Sequence, residues 1–223
     1  MDKVSTPAVL AAIADGLGDW RRLAQPLAAR YRAGDAGSAA AFVGAVVRTA
    51  ADTGHGVPEI RLNGEAVDVS LYTVDATGGR WITVRDLELA RAISALARAE
   101  GLTPAPAELA QLELALDTAD DAAAGPFWSA LLTGDAGHTV ADSVFDPTNR
   151  TPGVWFQQTA PHDPPRQRWH LDLWLAPEVA DARIAAAVAA GGTVVDASAA
   201  PSFTVLADPE GNKVCVCTAL TRE

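Results

Sequence analysis

Basic residues are scarce: 17 Lys and Arg stand against 28 Asp and Glu, a net charge of −11. A surface of that sign repels nucleic-acid phosphates and anionic lipid headgroups, and no basic stripe interleaved with aromatics overcomes the repulsion. Neither nucleic acid nor a membrane is an expected partner. Long apolar runs are also missing, none approaching the roughly 18 residues that read as a membrane span. Near the start, Asp2 sits beside Lys3 and Asp15 interrupts the apolar residues, unlike the continuous apolar region of a secretory signal. A cytoplasmic protein is expected. There are only two cysteines, Cys215 and Cys217 in KVCVCT, where strand alternation puts both side chains on one face, in poor geometry for a mutual disulfide. Free thiols suit a reducing compartment. There is no GxSxG elbow, P-loop or dinucleotide-binding fingerprint in context, and Ser198, Ser202 and His138 stand in no defensible triad order.

What is present is strong local patterning over 223 residues, enough for one large domain or two small ones. A short helix is expected at 8–15 after Pro7, then two strands in the extended stretch from Trp20 to Arg32, where Pro26 marks an edge or bulge. From Ser38 the run SAAAFVGAVVRTAADTG sets Phe42, Val46, Val47 and Ala50 on one helical face, with Gly54 as a left-handed stop. EIRLNG and AVDVSLYT read as a hairpin turning at Asn63-Gly64, with Val67, Val69 and Leu71 facing a core. Thr83 and Asp86 form a capping-box pair ahead of a helix whose buried stripe is Leu87, Ala90, Ile93, Ser94 and Leu96. GLTPAPAEL reads as a linker.

Beyond it, LELALD, VWFQQT and RWHLDLWLA read as strands and GPFWSALLTG as a short helix. VADARIAAAVAAGG reads as a helix, followed by strands TVVD, SFTVLAD and KVCVCT. The order strand, helix, strands thus occurs twice, with the hinge falling in HDPPRQ, an internal duplication. ADPEGNK is a turn between the last two strands, and His162 sits in a solvated proline-rich loop.

Residues from about 18 to 99 resemble pterin-4a-carbinolamine dehydratase, through the tryptophan after a small helix, FVGAVVRTAADTGHGVPEI, VDVSLYT and GGRWITVRDLELARAI. Residues from about 112 to 218 resemble the glyoxalase-like proteins of the vicinal oxygen chelate superfamily, through PFWSALLTG, VWFQQT, RWHLDLWL and VLADPEGNKVCV. The resemblance implies an α+β chain: an N-terminal four-stranded antiparallel sheet with helices over residues 1–101, and paired βαβββ modules forming a curved sheet over 110–223. It implies a lyase-type small-molecule enzyme related to 4a-hydroxytetrahydrobiopterin dehydratase, with a degenerate site. The family's His-His-Pro motif becomes His55-Gly56-Val57-Pro58, and Val74 stands where another family histidine follows the threonine-ended strand. Asp86 matches the family's acidic residue. Catalytic candidates are therefore His55 and Asp86, although His55 also fits a turn or a binding role, and Asp86 a plain helix cap.

In the second half, alternation puts Trp155 with Gln157, and His170 with Asp172 and Trp174, on common faces; the ligand-facing candidates are Trp155, Gln157, His170, Trp174 and Cys215. No metal is expected; if an ion binds, its ligands are Glu113, Gln157 or Gln158, His170 and Cys215, with the thiol favouring a soft, zinc-like ion. The aromatics Trp155, Phe156, Trp169, Trp174 and Phe203 fit either walls around a flat ligand or the core between sheet and helices. The ligand class implied is a pterin or other planar heterocycle. The alternative to an enzyme is a non-catalytic protein that sequesters such a ligand in the glyoxalase-like cup, and both families suggest a homo-oligomer by analogy.

Overall fold

The computed structural model describes residues 2–161, 169–207 and 213–222. Its first half runs α1 (Thr6–Ala14), β1 (Trp20–Arg22), β2 (Leu27–Arg32), α2 (Ala36–Asp52), β3 (Glu59–Asn63), β4 (Ala66–Leu71), β5 (Thr73–Val74), β6 (Arg80–Trp81), α3 (Val84–Ala99) and β7 (Thr103–Pro104). The second runs β8 (Ala110–Thr118), α4 (Asp121–Thr133), β9 (Thr139–Val140), β10 (Ser143–Val144), β11 (Val154–Gln158), β12 (Trp169–Leu175), α5 (Pro177–Ala189), β13 (Thr193–Asp196), β14 (Phe203–Ala207) and β15 (Lys213–Cys217).

The N-terminal strands form an antiparallel sheet in the order β1-β2-β4-β3, with α2 and α3 packed on one face. Period-two alternation makes this layer: Leu27, Ala29 and Tyr31 of β2 and Val67, Val69 and Leu71 of β4 bury against Phe42, Val46, Leu87, Ala90 and Ile93. Trp20 is fully buried among them and donates its indole N–H to Ser94 Oγ at 2.8 Å. That bond explains a serine in the buried stripe of α3.

The two strands expected from Trp20 to Arg32 are β1 and β2, a hairpin closed by the Leu23 N–H donating to Pro26 O. Two expectations need correction. The supposed linker contains β7, which pairs with β2 and adds a fifth strand to the sheet. Pro104 is tolerated there because an edge position needs no donor on its outer side, and the Ala105 N–H continues the contact by donating to Arg30 O. Helix α4 starts at Asp121, ahead of the expected Gly125, because the Asp120 side chain caps it by accepting from the Ala123 N–H. The expected hinge HDPPRQ, with His162, and most of the ADPEGNK turn lie outside the described residues.

The C-terminal half is an eight-stranded curved sheet, β13-β14-β15-β12-β8-β11-β10-β9, made of two βαβββ units. The first strand of each unit, β8 and β12, pair antiparallel at the centre, and each is flanked by the last strand of its own unit in parallel, β11 beside β8 and β15 beside β12. Glu113 and Asp172 lie directly opposite one another at that central seam. On the convex side Leu116, Val154 and Phe156 pack under α4, and Leu175, Leu206 and Val216 under α5. Among the described residues no helix is long and apolar enough to cross a membrane.

Candidate functional site

His55 owes its position to the end of α2. Thr53 caps that helix, Gly54 follows at φ +65°, and the His55 N–H donates to Ala50 O at 2.9 Å, the six-to-one bond of a Schellman motif. A side chain at residue 54 would be strained in this left-handed conformation, so glycine there sets where the imidazole lies. Nε2 of His55 lies 3.0 Å from Asp86 Oδ1, and Nδ1 lies 2.6 Å from Gly56 O. Both ring nitrogens thus face oxygen acceptors, an arrangement that uses two N–H donors when the ring is protonated.

Asp86 is fully buried. It is the N3 residue of the capping box on α3, its Oδ2 accepting from the Thr83 N–H at 2.7 Å and the Thr83 hydroxyl at 2.5 Å. The Thr73 hydroxyl donates to the same oxygen at 2.9 Å. One carboxylate therefore caps α3, ties down the end of the strand pair and holds the imidazole; cap and site partner are one role here. Beside them lies a cavity of about 650 Å³ lined by His55, Pro58, Tyr72, Val74, Thr83 and Arg85 among others. Burial raises the Tyr72 phenol above its ordinary range. Val74, at the position where the resemblance calls for a second imidazole, is on this wall and offers no proton.

The second cavity, about 590 Å³, is the concave face of the curved sheet. Alternation sorts the strands cleanly: Glu113 of β8, Trp155 and Gln157 of β11, His170, Asp172 and Trp174 of β12, Phe203 of β14, and Cys215 and Cys217 of β15 all line it. All the ligand-facing positions expected from sequence thus share one cavity. Of the paired glutamines Gln157 does so, while Gln158 donates to Ala119 O. Of the aromatics, Phe156 and Trp169 instead belong to the core under α4, where Trp169 meets Trp128 edge to face at 4.9 Å.

Two of the candidate metal donors, Glu113 and His170, are engaged within the protein. Glu113 accepts from Gln25 Nε2 and from Trp174 Nε1, and His170 Nε2 lies 3.0 Å from Asp117 Oδ1. Among the described residues no three His, Cys, Asp or Glu side chains converge to hold an ion. Burial, with Asp172 nearby, pushes both the Cys215 and Cys217 thiols up to about 12, unlike a site poised to supply thiolate. Iodoacetamide at neutral pH is accordingly expected to modify both cysteines slowly in the folded protein and quickly once it is denatured. Rapid labelling of the native chain would contradict that environment.

Asp172, which alternation along β12 puts on the face of His170 and Trp174, accepts from Trp155 Nε1 at 3.1 Å. One participant escaped the sequence reading. Gln25 comes from the β1–β2 turn of the other half and carried no signal at all. Its Nε2 reaches Glu113, its Oε1 accepts from Gln111 Nε2 at 3.0 Å, and Leu23 and Ala28 pack beside it against Leu109, Trp174 and Cys217.

Burial, with the neighbouring Asp172 adding to it, raises Glu113 above the ordinary 4.5, against the opposing bonds from Gln25 and Trp174. A raised acid contributes its full stability below the unfolded value and loses it as pH climbs through the folded one. Replacing Glu113 by Gln costs an acceptor oxygen, so the variant is expected to be less stable at about pH 5, with the gap narrowing toward about pH 8. Denaturant unfolding across that range measures it, and a widening gap would be the contrary result.

Comparison with known proteins agrees with these geometries half by half. Residues 2–96 match the family model described as Pterin 4 alpha carbinolamine dehydratase, and residues 113–217 match that described as Glyoxalase-like domain. The chain joins a carbinolamine-dehydratase-like half to a glyoxalase-like half. The crystal structure titled transcriptional coactivator/pterin dehydratase from Brucella melitensis is 22% identical, with a TM-score of 0.38, over 43% of this chain and 99% of that one. No curated protein matches the chain. In the dehydratase-like half, His55 and Asp86 are the paired imidazole and carboxylate; in the glyoxalase-like half, the cup is lined by three aromatics around two facing carboxyl groups.

Proposed function

We propose that the protein is a small-molecule lyase of the carbinolamine-dehydratase type, removing water from a 4a-hydroxytetrahydropterin in the cavity beside His55. The observation that carries this reading is the His55 imidazole on the wall of a 650 Å³ cavity with its Nε2 3.0 Å from buried Asp86. In the elimination the bond from C4a to oxygen breaks, the hydroxyl leaves as water with a proton from His55, and the N5 electron pair closes a C4a=N5 double bond. The resulting cation then loses its N5 proton to the His55 imidazole, left neutral by the first transfer, which restores both the ring and the histidine to their starting charge. Asp86 orients the imidazole through the contact with Nε2. With Val74 in place of a second imidazole, one group serves both proton transfers in turn, so the enzyme is slow. The test is loss of a 4a-hydroxytetrahydropterin followed by absorbance: protein-dependent acceleration over the spontaneous reaction supports the proposal, and a rate equal to buffer alone overturns it.

A second reading, ligand sequestration in the glyoxalase-like cup, has its own support. The cup has the volume of a small-molecule site and walls of Trp155, Trp174 and Phe203 with a few polar groups between them.

A further inference from the structure

The polar groups of the cup are biased toward acceptors. Glu113 and Asp172 sit side by side on the central strand pair, only 7% and 8% exposed, and each accepts an indole N–H from the other βαβββ unit, Trp174 to Glu113 and Trp155 to Asp172. Asp142 adds a third carboxyl group to the lining. Glu113 has both oxygens engaged, one by Gln25 and one by Trp174, whereas Asp172 takes one indole on Oδ2 and has the weakly donating Cys215 thiol as its other partner. Among the described residues the one lining arginine is Arg222, and it is turned to the protein itself, its guanidinium 4.3 Å over the Trp174 ring and hydrogen bonded to Thr218 O and Ser202 O. Flat aromatic walls and an acceptor-rich floor of carboxyl groups select against anionic ligands and for a planar ring that brings its own N–H donors.

We infer that the cup is a second small-molecule site, which takes a flat, uncharged nitrogen heterocycle presenting adjacent N–H donors to Asp172, as the ring N–H and amino group of a 2-amino-4-oxopyrimidine edge do. Trp155 and Phe203 supply the stacking surface. Gln25 completes the floor from the dehydratase-like half by holding Glu113 against the seam, so the two halves build this cavity jointly. The inference rests on the binding reading of the cup and gives it a ligand chemistry, one that matches the ring system handled at His55.

The probes are pterin and lumazine, two pteridines of the same shape that differ at position 2, amino in the first and oxo in the second. Titration calorimetry of the full-length chain is expected to show pterin binding about 10- to 100-fold tighter than lumazine, the range a hydrogen bond to a charged group commands. Asp172→Asn, which keeps the shape and exchanges one acceptor oxygen for a donor, is expected to abolish that preference. Equal affinity of the wild type for the two pteridines, binding of neither, or a preference that survives in Asp172→Asn overturns the inference. The wild-type comparison alone decides if the variant does not fold. The dehydration assay reads the other cavity, so a chain that accelerates dehydration without the pteridine preference refutes this inference and leaves the lyase proposal standing; the converse result does the opposite.

Discussion

Replacing Asp86 by alanine is expected to lower the stability of the protein by about 3 to 5 kcal/mol, close to the largest effect of any single polar substitution in the chain. The magnitude follows from what the carboxylate holds. It is fully buried and accepts from the Thr83 N–H, the Thr83 hydroxyl, the Thr73 hydroxyl and His55 Nε2. Loss of the helix cap alone costs about 1 kcal/mol, and each buried donor left without an acceptor about 1 to 3 kcal/mol more. Against a total of about 5 to 15 kcal/mol for a typical domain, the variant would be close to unfolding at physiological temperature. Asp86→Asn separates the two duties of the residue: it keeps a cap oxygen for Thr83 but no longer offers His55 a charge. Chemical denaturation should place it between wild type and Asp86→Ala. Equal stability of all three proteins would mean the buried cluster is not as described.

The second large effect is on chemistry. Changing His55 to alanine is expected to reduce the catalysed dehydration rate by about 10²-fold, the low end of what a positioned acid or base contributes. The low end applies because Val74 already replaces the partner imidazole. The His55 backbone N–H still closes the end of α2, so Schellman geometry survives the substitution and the stability cost is expected to stay near 1 kcal/mol, about one hydrogen bond. A variant that loses rate but keeps its unfolding midpoint within a few degrees marks the imidazole as chemical. One that loses both to the same degree marks it as a structural strut between α2 and α3.

Much of this site was legible because its parts obey local rules. Asn63-Gly64 sets the hairpin, Thr83 and Asp86 spell a capping box, and Gly54 ends α2, so the turn carrying His55 could be placed from short stretches of sequence. Strict alternation along β11, β12 and β15 likewise told which side chains share the concave face. What could not be read depends on contacts far apart in the chain. Nothing in RRLAQPLAAR shows that Gln25 reaches Glu113 some ninety positions later. The β7 strand was hidden for the same reason: two prolines argue locally against order, and pairing with the exposed edge of β2 overrides them. Likewise the sequence pairs His55 with Asp86 only through family resemblance; the 3.0 Å contact comes from docking α2 against α3.

The difference between the halves is also chemical. The dehydratase-like site keeps one imidazole and one carboxylate in contact, which supports proton transfer but not with the redundancy of two histidines. The glyoxalase-like cup keeps its inward positions, yet its side chains are bonded to one another or protonated rather than arranged as metal donors.

The most direct test of that account is the dehydration rate of a 4a-hydroxytetrahydropterin measured side by side with wild-type protein, with His55→Ala and in buffer alone. The expected result is a wild-type rate well above the other two, with the variant at or near buffer. Wild-type protein that merely matches the His55→Ala variant, both at the spontaneous rate, would contradict it.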